Sequence, residues 1–208
     1  MPEECYIPES LINLNGNLLC AVDVETTGLI AGWHEIVQIA VQPLDSNLEF
    51  VKDILPFYMD IAPEYPERAS KKSMQVNGLS LENLVNNCPD QWRAADLLDE
   101  WFINLNLPFR KSMVPLAHNW AFEKGFLSNW LGPETHNSLF HPLARDSMAF
   151  AISINDVSNY HGKAQPFASV ALGSMCKKFN IEIERAHDAL CDARAEAQLY
   201  RALLRAFS

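Results

Sequence analysis

Apolar and polar positions change period along the chain in an order that predicts strands first and alternating strands and helices later. Leu18-Leu-Cys-Ala-Val-Asp-Val-Glu25 reads as a buried strand, stopped by Thr26-Thr-Gly28. Glu35 to Val41 predicts a second strand, and Leu48 to Tyr58 a third that Pro56 interrupts. The short return from Pro43 to Leu48 implies antiparallel hairpins. Pro63 and Pro66 mark a loop before a short helix over Ala69–Val76, ended by Asn77-Gly78, and Ser80–Asn86 reads as another. Pro89-Asp90 opens a stronger helix with Trp92, Leu97, Leu98, Trp101 and Phe102 on or near one face. Met113-Val-Pro-Leu-Ala117 is a short apolar strand that runs into His118-Asn119, with a helix following through Leu131. Pro142–Arg145 is expected as a fifth strand, with Asp146-Ser147 capping the next helix. Residues 154–166 lack clear periodicity. Phe167–Phe179 reads as helical, and a final helix spans about Asp188–Phe207 with an apolar stripe at Ala189, Ala193, Ala197, Tyr200 and Leu204.

The expected fold class is therefore α/β. A mixed five-stranded central sheet, three antiparallel N-terminal strands plus parallel ones, is flanked by helices. The 208 residues suit one domain over 17–208, preceded by an irregular extension over 1–16 that lies on its surface. Hydrophobic residues make up 49% and charged residues 20%, enough for a sizeable core and unlike a disordered composition. No apolar run is long enough to cross a membrane, and the start lacks the basic and apolar stretches of a secretory signal. Five cysteines without a Cys-x-x-Cys pair fit reduced thiols in a cytoplasmic protein, with Cys20 and Cys191 as small core residues.

The net charge of −10 argues against a broad basic face for nucleic acid or anionic lipid. It is also uneven, because no Lys or Arg occurs before Lys52 while eight acids do. Two of those acids are candidate chemistry. Asp23 and Glu25, at i and i+2 on a strand, point to one face, and carboxylates at the end of a buried strand are costly unless paired or bound to metal. An acidic strand end facing water is the plainer alternative; a site for a hard cation such as Mg²⁺ or Mn²⁺ is the functional one. Gly28 would let the backbone turn and approach a ligand. Glu123 falls in the first turns of a helix, where a carboxylate is favoured by the dipole. His187 sits on the loop before an N-cap at Asp188, with Asp192 one turn into that helix.

Taken in order, Asp23-x-Glu25-Thr-Thr-Gly28, His118-Asn-x-x-Phe-Glu123, Asp146-Ser and His187-x-Ala-Leu-x-Asp192-Ala resemble the DEDDh 3′→5′ exonucleases. These are the DnaQ-like branch of the ribonuclease H-like superfamily. Glu35-Ile-Val-Gln-Ile-Ala, Val76-Asn-Gly-Leu-Ser and the segment Phe167–Ile181 are weaker landmarks of the same pattern, and the resemblance covers roughly residues 17–205.

The resemblance implies Asp23, Glu25, Glu123 and Asp192 as ligands of two divalent metal ions, Mg²⁺ or Mn²⁺, and His187 as general base. One ion would be held mainly by Asp23, Glu123 and Asp192, the other by Asp23 and Glu25. The implied reaction is phosphodiester hydrolysis at the 3′ end of single-stranded DNA or short RNA, releasing nucleoside 5′-monophosphates. Glu123 departs from the family, whose usual residue there is Asp. This motivates an alternative in which an attenuated or inactive member binds nucleic-acid ends or a replication or repair protein. Thr26, Thr27, Gly28, Leu29, His118, Asn119 and Trp120 are candidate substrate-binding positions. Leu29 and Ile30 are candidates for wedging against the terminal base, or for packing within their loop. Trp120 is a candidate for stacking on a base, or for a core position. His118 and Asn119 are expected to organise the site by hydrogen bonds. The chain ends directly after the last helix, which favours a free-standing nuclease over a tethered proofreading subunit.

Overall fold

The computed structural model describes residues 14–207. Most of the expected N-terminal extension, residues 1–13, lies outside the described residues, as does the acidic trio Glu3, Glu4 and Glu9. Five strands form one sheet in the order β3-β2-β1-β4-β5: β1 Leu18–Thr26, β2 Ile36–Leu44, β3 Phe57–Asp60, β4 Met113–Ala117 and β5 Arg145–Asp146. β1 pairs antiparallel with β2, and β2 with β3. β4 runs parallel to both β1 and β5. Among the described residues seven α-helices accompany it: α1 Lys71–Asn77, α2 Leu81–Asn87, α3 Gln91–Asn104, α4 Trp120–Leu139, α5 Ser147–Tyr160, α6 Leu172–Lys178 and α7 Ala189–Ala206.

β1 sorts the interior by its period of two. Cys20, Val22 and Val24 face a cluster built with Leu98 of α3 and Phe126 and Leu127 of α4. Leu19 and Ala21 face a second cluster, in which Ala189, Ala193 and Ala197 of α7 lie against Ala40 of β2 and Leu116 of β4. Alanines at i, i+4 and i+8 keep that side of the helix thin, so α7 lies across β1, β2 and β4.

Several expected boundaries move for identifiable reasons. The third strand does not begin at Leu48. The Asp45 carboxylate accepts from Asn47 and Glu49 N–H, Leu48 takes φ 64, Phe50 makes only an isolated bridge to Leu44, and the strand proper is Phe57–Asp60. The helix expected to stop at Leu131 does break, at Gly132 (φ 74, ψ 153), and a further helical segment runs on from Pro133 to Leu139. Residues 154–160, expected to be irregular, complete α5. The first five residues of the stretch expected as helix from Phe167 are not helical. Asn155 pins them, donating to Phe167 O at 2.8 Å and accepting from Phe167 N at 3.0 Å, and α6 starts only at Leu172. The fifth strand is Arg145–Asp146 rather than Pro142–Arg145.

Three of the acids in the segment without Lys or Arg have structural roles. Glu35 accepts from the N–H groups of Glu64 and Tyr65 at 2.8 and 2.9 Å, Asp45 ties the turn described above, and Glu49 pairs with Arg201 of α7. The four described cysteines are free thiols. Among the described residues no helix is long and apolar enough to cross a membrane.

Candidate active site

Asp23 and Glu25 continue the α7-facing side of β1 beyond the point where Ala21 pairs with Leu116, so they project at the carboxyl end of the parallel pair. A shift of register between Glu25 and Thr26 leaves a single further pair, Thr26 with Ile36, in the β1–β2 ladder. β4 ends at the same side of the sheet and passes through His118-Asn119 into α4, which delivers Glu123 one turn in. The apolar stripe of α7 seats the helix on the sheet and turns Asp192 and Glu196 toward Asp23.

The turn into α4 is fixed by Asp146. Its Oδ1 accepts from Asn119 N at 3.2 Å and its Oδ2 from Trp120 N at 2.9 Å, while Oδ1 also caps α5 through Met148 and Ala149 N–H. Asn119 takes φ 88, a left-handed conformation that asparagine tolerates better than most residues. The start of α7 is fixed by Gln38, whose Oε1 accepts from Ala189 N at 2.8 Å. Asp188 caps Cys191 N–H and is clasped by Tyr58 and Arg185. His187 stands just before this anchor, exposed, at φ 63, and its N–H donates to Asp192 Oδ2 at 2.9 Å.

Glu25, His187 and Asp192 each offer a ligand atom within 4.8 Å of the others. Behind them lie Glu123 and Glu196, 4% and 1% exposed. Asp23 Oδ2, Glu123 Oε2, Asp192 Oδ1 and Glu196 Oε2 are all sealed from solvent without a hydrogen-bond partner. Burial first, and then the charges of Glu123, Glu25 and Asp192, push the Asp23 carboxyl well above its usual range. Burial raises Glu25 to about 7, helped by Asp192, and raises Glu123 to about 8. Asp192 and Glu196 are raised as well, burial again leading. Buried carboxylates held together without counter-ions are what a cation site requires, and oxygen donors with one imidazole suit a hard divalent ion.

Glu196 was not among the residues expected from sequence. The signal was present, because it lies four residues after Asp192 and therefore on the same side of α7.

The turn after β1 departs from several expectations. Thr26 Oγ1 donates to Gly28 O at 2.6 Å, and Thr27, fully buried, accepts from Glu35 N at 2.9 Å. Both hydroxyls are thus committed to the turn. Gly28 is required by protein rather than ligand: a Cβ there would stand 2.1 Å from the His34 ring. Leu29 and Ile30 are 78% and 62% exposed, so they do not pack within their loop. Trp120 is corrected outright as a stacking surface. It is buried among Phe140 and His136, with no free face for a base. His118 spans Ser147 Oγ and Val170 O at 2.8 Å each, joining α4's entry to α5 and the segment before α6.

A mixed five-stranded sheet of this order, with helices on both faces, is a ribonuclease H-like fold, and its solved neighbours of that fold are exonucleases. The exonuclease family of the RNase T type matches residues 20–200, and the chain belongs to this 3′→5′ exonuclease family of hydrolases. Exonucleases of this kind generally depend on divalent metal ions. The 3′-5′ DNA exonuclease Cap18 of Escherichia coli is 29% identical over 187 residues, 88% of this chain and 90% of Cap18. The PolC-type DNA polymerase III of Streptococcus sanguinis is 28% identical over 85% of this chain, which spans 10% of that polymerase. Among solved structures, the zinc-bound E. coli exonuclease I complex with single-stranded DNA superposes with a TM-score of 0.73 at 16% identity, covering 92% of this chain and 41% of that one. Cell-death related nuclease 4 superposes at 0.67 and 16% identity, covering 92% and 64%.

Proposed function

We propose that this protein is a metal-dependent exonuclease that shortens single-stranded nucleic acid from the 3′ end, with DNA the first substrate to test, and releases nucleoside 5′-monophosphates. One observation supports the reading above the rest: four acids on three separate elements each hold a buried, unpartnered oxygen in one cluster. No neutral or basic side chain donates to these oxygens, and a fold selected for stability alone would not retain such a group. DNA comes first because Cap18, matched over nearly its whole length, is named a DNA exonuclease.

In this reading Asp23, Glu25, Glu123 and Asp192 hold a pair of divalent ions, Mg²⁺ or Mn²⁺. Such a pair supplies Lewis-acid charge stabilisation on both sides of a scissile phosphodiester. The protein's own groups do the rest. Asp192 Oδ2 holds the His187 backbone N–H, which leaves the imidazole at the exposed mouth of the cluster, placed to accept a proton from the attacking water. Leu29 and Ile30, exposed in the turn that follows Glu25, would rest against the terminal base. His118 acts only by holding the α4 entry in place.

Glu123 keeps the charge and donor type of the family's Asp, and its buried carboxylate joins the cluster, so a catalytic site is favoured over a purely binding module. The test is release of mononucleotides from matched 3′-labelled DNA and RNA oligonucleotides with Mg²⁺ or Mn²⁺. Cleavage from the 3′ end is expected; no cleavage by the wild type, and none in Glu123→Asp, would defeat the reading. His187→Ala should lose about 10²–10⁴-fold in turnover while retaining metal binding, and full activity would remove His187 from the base role.

A further inference from the structure

The buried acid that the proposed ligand set leaves unused is Glu196. It is 1% exposed, its Oε2 has no hydrogen-bond partner, and no ion pair among the described residues reaches it. Its carboxyl lies within hydrogen-bonding reach of Asp23, and its charge is felt together with those of Glu123 and Asp192. It shares a helical face with Asp192, so the two form a like-charged i, i+4 pair, which weakens an isolated helix. The His118 backbone N–H bonds this carboxylate but leaves Oε2 unanswered, and neither packing nor helix formation accounts for that second buried oxygen. A Leu or Met of similar size would fill the space without the desolvation cost.

We propose that Glu196 is a fifth acid of the metal centre, supplying an oxygen to a bound divalent cation either directly or through an intervening water. The inference rests on the metal-dependent reading above and alters its ligand set. The longer arm at Glu123 shifts that carboxylate by about a bond length, where productive sites tolerate only about 0.5 Å. An added oxygen from α7 gives a centre built for that displaced geometry. The site is then a five-carboxylate arrangement with its own metal affinity, rather than a four-acid site with one ill-fitting ligand.

The experiment is calorimetric titration of the metal-free protein with Mn²⁺, alongside the Mn²⁺ concentration that half-saturates cleavage. Glu196→Gln, which keeps shape and removes charge, should weaken Mn²⁺ binding by about 10–100-fold and raise the half-saturating concentration in step. Its metal-free melting temperature should not fall. Glu196→Asp should fall between wild type and Gln, and decides the matter if the Gln variant does not fold. Unchanged Mn²⁺ affinity and stoichiometry in these variants overturns the proposal, as does a loss of metal-free stability with affinity intact. If the wild type itself binds no Mn²⁺, the metal-dependent reading falls first.

Discussion

The two faces of β1 are built on opposite terms. On one, Cys20, Val22 and Val24 meet Leu98, Phe126 and Leu127 in a core of large side chains. On the other, Leu19 and Ala21 give way to Asp23 and Glu25, and the facing helix interleaves two more acids with its alanines. Burial stabilises the first face at about 25 cal/mol per Å² of apolar surface. On the second it raises every carboxyl in the cluster above its ordinary range. One strand therefore carries both the fold's support and its strain, and the large core on the even side lets the odd side hold charge.

Breaking the supporting face should have the largest effect on stability. Leu98→Ala removes a fully buried side chain and should cost about 2–5 kcal/mol, measured by urea denaturation, with Mn²⁺ affinity of the folded fraction unchanged. A loss of affinity in that variant would mean the two faces are not separable. Next in size, Ala193→Leu forces bulk between α7 and the sheet. It should destabilise by about 1–3 kcal/mol and, unlike Leu98→Ala, also weaken Mn²⁺ binding, because Asp192 and Glu196 move with the helix.

The smallest effect is in pH. Glu25 and Glu123 rise from an ordinary 4.5 to about 7 and about 8, so the folded metal-free protein binds more protons than the unfolded chain. Their contribution is full below about pH 4.5 and is lost as pH rises through 7 to 8. Between pH 7 and pH 8 alone the melting temperature of metal-free protein should fall by a few degrees, at roughly 2–4 °C per kcal/mol for a domain of this size. Saturating Mn²⁺ should reverse the fall. A metal-free profile that stays flat, in wild type and in Asp23→Asn alike, would show that the cluster is not strained.

The strong elements were legible because local pattern and tertiary context agree. Met113–Ala117 is a wholly apolar run closed by polar neighbours, and its bounds are those of β4. Asp188 was readable as a cap because the helix after it is marked by its alanine stripe. The failures are side chains whose partners are distant in sequence. Asn155 falls in a stretch without clear periodicity, and its place in α5 makes sense once Phe167 is seen to absorb both ends of its amide. Thr26 and Thr27 read as ligand contacts, and the turn bonds they make to Gly28 and Glu35 could not be seen from the motif alone. Trp120 follows a site motif and belongs to the core. Glu196 carries no motif, and its four-residue spacing from Asp192 becomes informative only once α7 is laid against Asp23.

Asp146 has a consequence for recombination and design. A single carboxylate receives N–H groups from two helix starts, Asn119 and Trp120 on one side and Met148 and Ala149 on the other. The junctions after β4 and β5 are therefore one heritable module. A chimera that imports one junction from a relative without the other leaves either helix with unanswered donors, and the residue carried out of place is Glu123.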